Sequence, residues 1–186
     1  MNIHILAVLT VLTTLVSAGQ PKALGENPLL EPLGGNWEIG YQQRRGGTTI
    51  IEFVHAGETV RNWTELATLL SLDEGKGMDI DAYVERVRAS LKARCPGGPS
   101  VKVLSKRRVS DLPARLLVVE CRAYASGAPE SFVQMAVSGR QALYSFQLAR
   151  RVPRLDAKLQ SQFSAFVGKL KICDDAVAAR PCTGAR

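Results

Sequence analysis

The chain of 186 residues has only 2 histidines, and one of them, His4, lies inside an N-terminal apolar run. His55 is therefore the single candidate imidazole base in the mature protein. No Gly-x-Ser-x-Gly element presents a serine to it, so Ser-His-Asp chemistry lacks its parts and His55 reads as a structural residue. The 4 cysteines form no Cys-x-x-Cys element, and one histidine cannot complete a tetrahedral zinc site with them. Aromatic residues make up 6% of the chain and do not interleave with the basic ones, which removes the stacking platform of a single-strand nucleic-acid binder. The apolar run from Ile3 to Val16 is shorter than the roughly 20 residues a membrane-spanning helix needs. Four carboxylates, Asp73, Glu74, Asp79 and Asp81, surround Gly75-Lys76-Gly77. Val84 stands where a calcium loop starting at Asp73 would need its closing Glu, and the glycines lack the spacing of a phosphate loop. The carboxylates read as a solvated loop leading into a helix; no cofactor, metal, nucleic acid or integral membrane anchor is expected.

What is present points to export. The Ile3–Val16 run is followed by Val16-Ser17-Ala18, a small-residue pattern for signal-peptide cleavage near Ala18, although no Lys or Arg precedes the run. No cysteine stands near that point, so a lipid-modified N-terminus is not expected. Residues 1–18 read as a signal peptide and the Gly- and Pro-rich residues 19–35 as a flexible arm. Residues 36–172 read as one domain and residues 173–186 as a Cys-bounded tail. The even set Cys95, Cys121, Cys173 and Cys182 favours disulfides in the periplasm or outside the cell. Locality suggests Cys95 with Cys121 and Cys173 with Cys182, each stabilising by about 2 to 4 kcal/mol. The net charge of +7 falls wholly in the mature chain and favours an anionic envelope component or a protein partner. The short clusters Lys106-Arg107-Arg108 and Arg150-Arg151 are the candidate contact residues. Richness in Ala, Arg and Val suits a bacterial source.

Alternation from Trp37 to Tyr41, a turn at Arg44-Arg45-Gly46-Gly47 and the β-branched run Thr48–Val54 predict a hairpin. Trp63, Leu66, Ala67 and Leu70 recur at helical spacing. Asn62, with Glu65 three residues on, then has the spacing of a capping box, which gives the Asn62-Trp63-Thr64 sequon a structural role without a glycan. A second helix is expected over Ile80–Arg94, capped by Asp79. Strands are expected over 101–104, 115–125, 130–137 and 142–149. A last helix should follow Pro153, with Leu155, Leu159, Phe163, Phe166 and Leu170 as its apolar stripe. The order describes an α+β fold: an antiparallel sheet of about six strands covered by helices and stabilised by disulfides.

Trp37, Gly57-Glu58-Thr59 with Asn62-Trp63-Thr64, Cys95-Pro96, and Gly139 with Ala142-Leu143-Tyr144 resemble small exported bacterial proteins of the PsbP-like fold. The resemblance covers roughly residues 36–172. It implies a sandwich architecture and an accessory or binding role, and carries no catalytic residues with it. The expected function is a non-enzymatic accessory or binding protein that docks through its basic surface. The alternatives are an envelope polysaccharide or peptide hydrolase using Glu120 or Glu58, with Glu130 a further candidate carboxylate, and an inhibitor or immunity protein of an effector enzyme.

Overall fold

The computed structural model describes residues 25–30, 33–124 and 127–182; the expected signal peptide and its cleavage point lie outside them. Nine strands and two α-helices are described. They are β1 (Glu26–Leu30), β2 (Trp37–Arg45), β3 (Thr48–His55), β4 (Glu65–Leu72), α1 (Ile80–Arg94), β5 (Ser100–Val109), β6 (Leu112–Cys121), β7 (Glu130–Ser138), β8 (Leu143–Arg150), α2 (Ala157–Val167) and β9 (Leu170–Asp174). Seven of the strands form one antiparallel sheet in the order β2-β3-β4-β8-β7-β6-β5, and β1 pairs with β9 in a separate ribbon.

This corrects the expected α+β sheet of about six strands covered by helices: the described residues are mostly β, with a seven-stranded antiparallel sheet and two α-helices among them. The difference comes from the segment expected as the first helix. Glu65–Leu72 is β4, paired with β3 on one side and β8 on the other. It is apolar on both faces, Ala67 and Leu69 going to one core and Leu66 to another. A strand covered on both sides carries no two-residue alternation, so its leucines fall at helical spacing by coincidence. The capping role of Asn62 and Glu65 disappears with that helix. Asn62 sits instead in a tight turn bridged to Thr59, and Glu65 is the first residue of β4. The expected arm is also corrected in part, since Glu26–Leu30 is a strand hydrogen-bonded to β9.

The sheet separates two apolar layers. On one face α2 and the ribbon bury Phe163, Val167, Leu170 and Ile172 against Leu116, Val133, Met135, Tyr144 and Phe146. On the other, α1 places Tyr83, Val84 and Leu91 over Phe132, Ala136 and Leu143. The helix spans the expected Ile80–Arg94, and Asp79 caps it: Oδ1 accepts from the backbone N–H of Asp81 at 2.9 Å and of Ala82 at 2.8 Å. α2 begins four residues after Pro153, where the Asp156 carboxylate accepts from Leu159 N–H at 2.8 Å.

Both edge strands are interrupted by bulges, between Ile39 and Tyr41 in β2 and between Val103 and Ser105 in β5. β5 also carries Lys106, Arg107 and Arg108. Bulges and charges of this kind block edge-to-edge pairing with another sheet.

The pairings Cys95–Cys121 and Cys173–Cys182 are formed as locality suggested. The first ties the C-cap of α1 to the end of β6. The second starts within β9, so the tail is fastened to the ribbon.

Candidate functional site

α1 packs on the sheet face through Tyr83 and Leu91, and a cavity of about 430 Å³ remains beside these contacts, between helix and sheet. Leu70, Leu72, Met78, Val87, Leu91 and Phe132 supply its apolar wall. The floor is polar. Strand register places Thr68 opposite Gln147 and Gln147 opposite Gln134, so three uncharged polar side chains cross β4, β8 and β7 in one row. Glu52 on β3 continues the row. The Gln134 amide donates to the Tyr83 hydroxyl of α1 at 3.0 Å, while Gln134 Oε1 and Thr68 Oγ1 are buried without a partner. Charged side chains, Glu74, Arg86, Arg94 and Glu130, stand among the remaining lining residues.

A second cavity of about 370 Å³ shares Tyr124 and Glu130 with the first and extends toward Trp63 and Arg151. There the Arg151 guanidinium lies 4.7 Å over the Trp63 ring and donates to Arg61 O at 2.7 Å, an arrangement that adds cation–π attraction to a fixed position.

Burial pushes the Glu130 carboxyl above its ordinary value of 4.5, opposed by Arg151 and Arg94 and reinforced by Glu52, whose own carboxyl is raised by burial. A carboxyl raised in the folded state binds protons there that the unfolded chain releases. Its contribution to stability is therefore lost as pH rises from about 4.5 through the raised value. Glu130→Gln should increase the urea midpoint at pH 7, and the gain should shrink toward zero below the ordinary carboxyl range. Paired urea titrations at the two pH values check this.

The residues singled out from sequence are placed as follows. His55 contacts Glu65 Oε2 at 3.4 Å and packs its ring 4.1 Å from that of Trp37. Glu58 braces a turn, accepting from Thr64 Oγ1 at 2.7 Å and Thr64 N–H at 3.1 Å, and these bonds hold its carboxyl below the ordinary range. Glu120 is ion-paired to Arg154 at 3.7 Å. Asp81 forms two hydrogen bonds to Arg115, at 2.7 and 2.8 Å, which lower its pKa.

The two basic clusters do not meet. Arg150 lies in the row with Ser131, Glu120 and Ser100, whereas Lys106, Arg107 and Arg108 lie near the other end of β5, roughly 20 Å further along at about 3.3 Å per residue. Lys106 is 3.7 Å from Asp81, and Arg108 donates to the Asp111 carbonyl.

The groove was missed because its polar residues come from three strands. The available signal was a glutamine in each of two otherwise apolar runs, Gln134 between Val133 and Met135 and Gln147 between Phe146 and Leu148.

The fold and groove define a disulfide-bridged, mostly β protein with a helix-roofed cavity on one sheet face. No family model matches the chain, and no curated protein does. Among solved structures it is similar to LpqN, involved in cell envelope biogenesis of Mycobacterium tuberculosis, at 13% identity and a TM-score of 0.42 over 83% of this chain and 87% of that one. These comparisons do not confirm the PsbP-like fold, and a likeness of this size leaves function to be argued from the site.

Proposed function

We propose that this chain is a periplasmic or secreted, non-enzymatic binding protein whose ligand seat is the groove beneath α1. The observation that carries the reading is the cavity beneath α1, in which apolar side chains such as Leu72, Met78, Val87 and Phe132 stand beside the Gln134 and Gln147 residues, since pockets for small molecules combine apolar walls with a few placed polar groups. Export is supported by the N-terminal apolar run and by two bridges of a kind that persists in oxidising compartments. The non-catalytic part is supported by the engagement of Glu58, Glu120 and His55 in bracing contacts. The anionic-partner expectation narrows to the Arg151 and Trp63 end of the groove, because the other cluster lies at the far end of the sheet.

Diphenylhexatriene, an uncharged hydrocarbon that fluoresces when sheltered from water, is a suitable probe. The wild-type protein should enhance its fluorescence in a saturable titration, and Val87→Trp, which puts an indole into the groove, should abolish the enhancement while keeping the circular dichroism spectrum. Equal enhancement by the two proteins would reject the groove as the seat.

A further inference from the structure

The helix that roofs the groove also brings charge to its mouth. Arg86, Ser90 and Arg94 recur every four residues along α1 and so form one row. Val87 and Leu91, each one position further on, form the neighbouring row, packed into the apolar core. All five line the cavity, but the first three are exposed, so a cationic rim stands beside an apolar wall. Elsewhere in the protein arginines are matched: Arg88, on the same helix, is ion-paired with Glu85, and Arg115 with Asp81. Arg86 and Arg94 form no such ion pair among the described residues. Arg94 donates instead to Ser90, from Nε to the carbonyl at 3.3 Å and from Nη2 to Oγ at 2.9 Å, which holds its guanidinium along the row.

Two carboxylates line the same cavity, and their places decide where an anion fits. Burial raises the Glu130 pKa with help from Glu52, while Arg151 and Arg94 oppose the rise, so the Glu130 charge already lies in the field of two guanidiniums. Glu52 lines neither chamber. Glu74 is exposed in the turn Asp73–Gly75 that precedes α1, and an anion seated beside it would be repelled. Over the two chambers Arg86, Arg94 and Arg151 stand against Glu74 and Glu130, three cations to two anions. The cationic side thus continues from the Arg151 end through Arg94 to Arg86, the last two about 12 Å apart along the helix at 1.5 Å per residue. A head group on this exposed rim keeps part of its hydration, while a chain below it loses water against Leu72, Met78 and Phe132.

Resting on the groove reading above, we infer that the ligand is an anionic amphiphile: a hydrocarbon chain lying beneath α1, with a carboxylate or phosphate monoester head held by Arg86 and Arg94. Guanidinium forks match the oxygens of both heads.

The experiment is displacement of diphenylhexatriene from the full mature chain by decanoate, decyl phosphate, decanol and decyltrimethylammonium, each below the concentration at which it aggregates. At neutral pH and low salt the two anions should displace the probe about ten-fold more tightly than decanol, and the cation more weakly than decanol. The tighter of the two anions identifies the head. Added salt should shrink the preference. In Arg86→Glu with Arg94→Glu decanol should overtake decanoate, whereas Arg88→Gln, on the same helix but outside the cavity lining, should keep the wild-type order. Equal displacement by decanol and the anions in the wild type, or an order unmoved by the charge reversal, would overturn the inference while leaving the groove as the seat. Failure of the probe to bind the wild type at all would overturn both. Should the reversed variant not fold, the wild-type order and its salt dependence decide alone.

Discussion

Cys95→Ala with Cys121→Ala should lower the thermal midpoint by roughly 10 °C. The bridge joins residues separated by 26 positions, and closing a loop of that size restricts the unfolded chain by about 3.5 kcal/mol in the chain-entropy account. The position matters as much as the loop. Cys95 follows the last turn of α1, and its N–H still donates to Leu91 O at 2.8 Å, so the bond anchors the helix end that roofs the groove. The double variant should therefore also lose probe affinity, beyond what its stability change produces. Cys173→Ala with Cys182→Ala, whose separation is 9, should cost about 2.5 kcal/mol and leave probe binding unchanged. Differential scanning calorimetry and the fluorescence titration, run on both pairs, separate the two contributions.

Gly139→Ala should cost about 3 kcal/mol, at the upper end of what an overpacked methyl exacts. A Cβ at this position would overlap Glu26 Oε2 and stand 2.5 Å from Ala142 O and 2.6 Å from Tyr144 Cε2. None of these can retreat. Glu26 is 1% exposed and accepts from Gln141 N–H at 2.9 Å, and Tyr144 donates its hydroxyl to Glu26 O at 3.1 Å. Arg140 supplies charge to Glu26 at 3.9 Å, too far for a hydrogen bond, and is ion-paired with Asp174. The methyl would therefore push β1 off the turn between β7 and β8. Urea denaturation should show the lost stability, and amide exchange should rise first in β1 and β9.

That turn shows how the sequence could be read and where reading stopped. Gly139 with Ala142-Leu143-Tyr144 stood out as a motif, and its cause is the close approach of Glu26, more than a hundred residues earlier, which no local pattern reveals. α1 was legible because Asp79 caps it and its apolar residues recur on one face. The β2–β3 hairpin was legible because Gly46 and Gly47, both at positive φ, mark its turn. β4 was not, since burial on both faces erases the alternation that identifies a strand. The disulfide partners followed from separation along the chain. The groove followed from nothing local: Gln134 and Gln147 become a row only once β7 and β8 are paired.

The most direct test of the groove as a binding seat is an NMR titration of the mature protein with decanol, following backbone and side-chain amides. The account predicts saturable shifts centred on the Gln134 and Gln147 side-chain amides and on the α1 residues around Val87. Shifts confined to the exposed edge strand near Ile39 and Tyr41, or no saturable shift at any site, would contradict it.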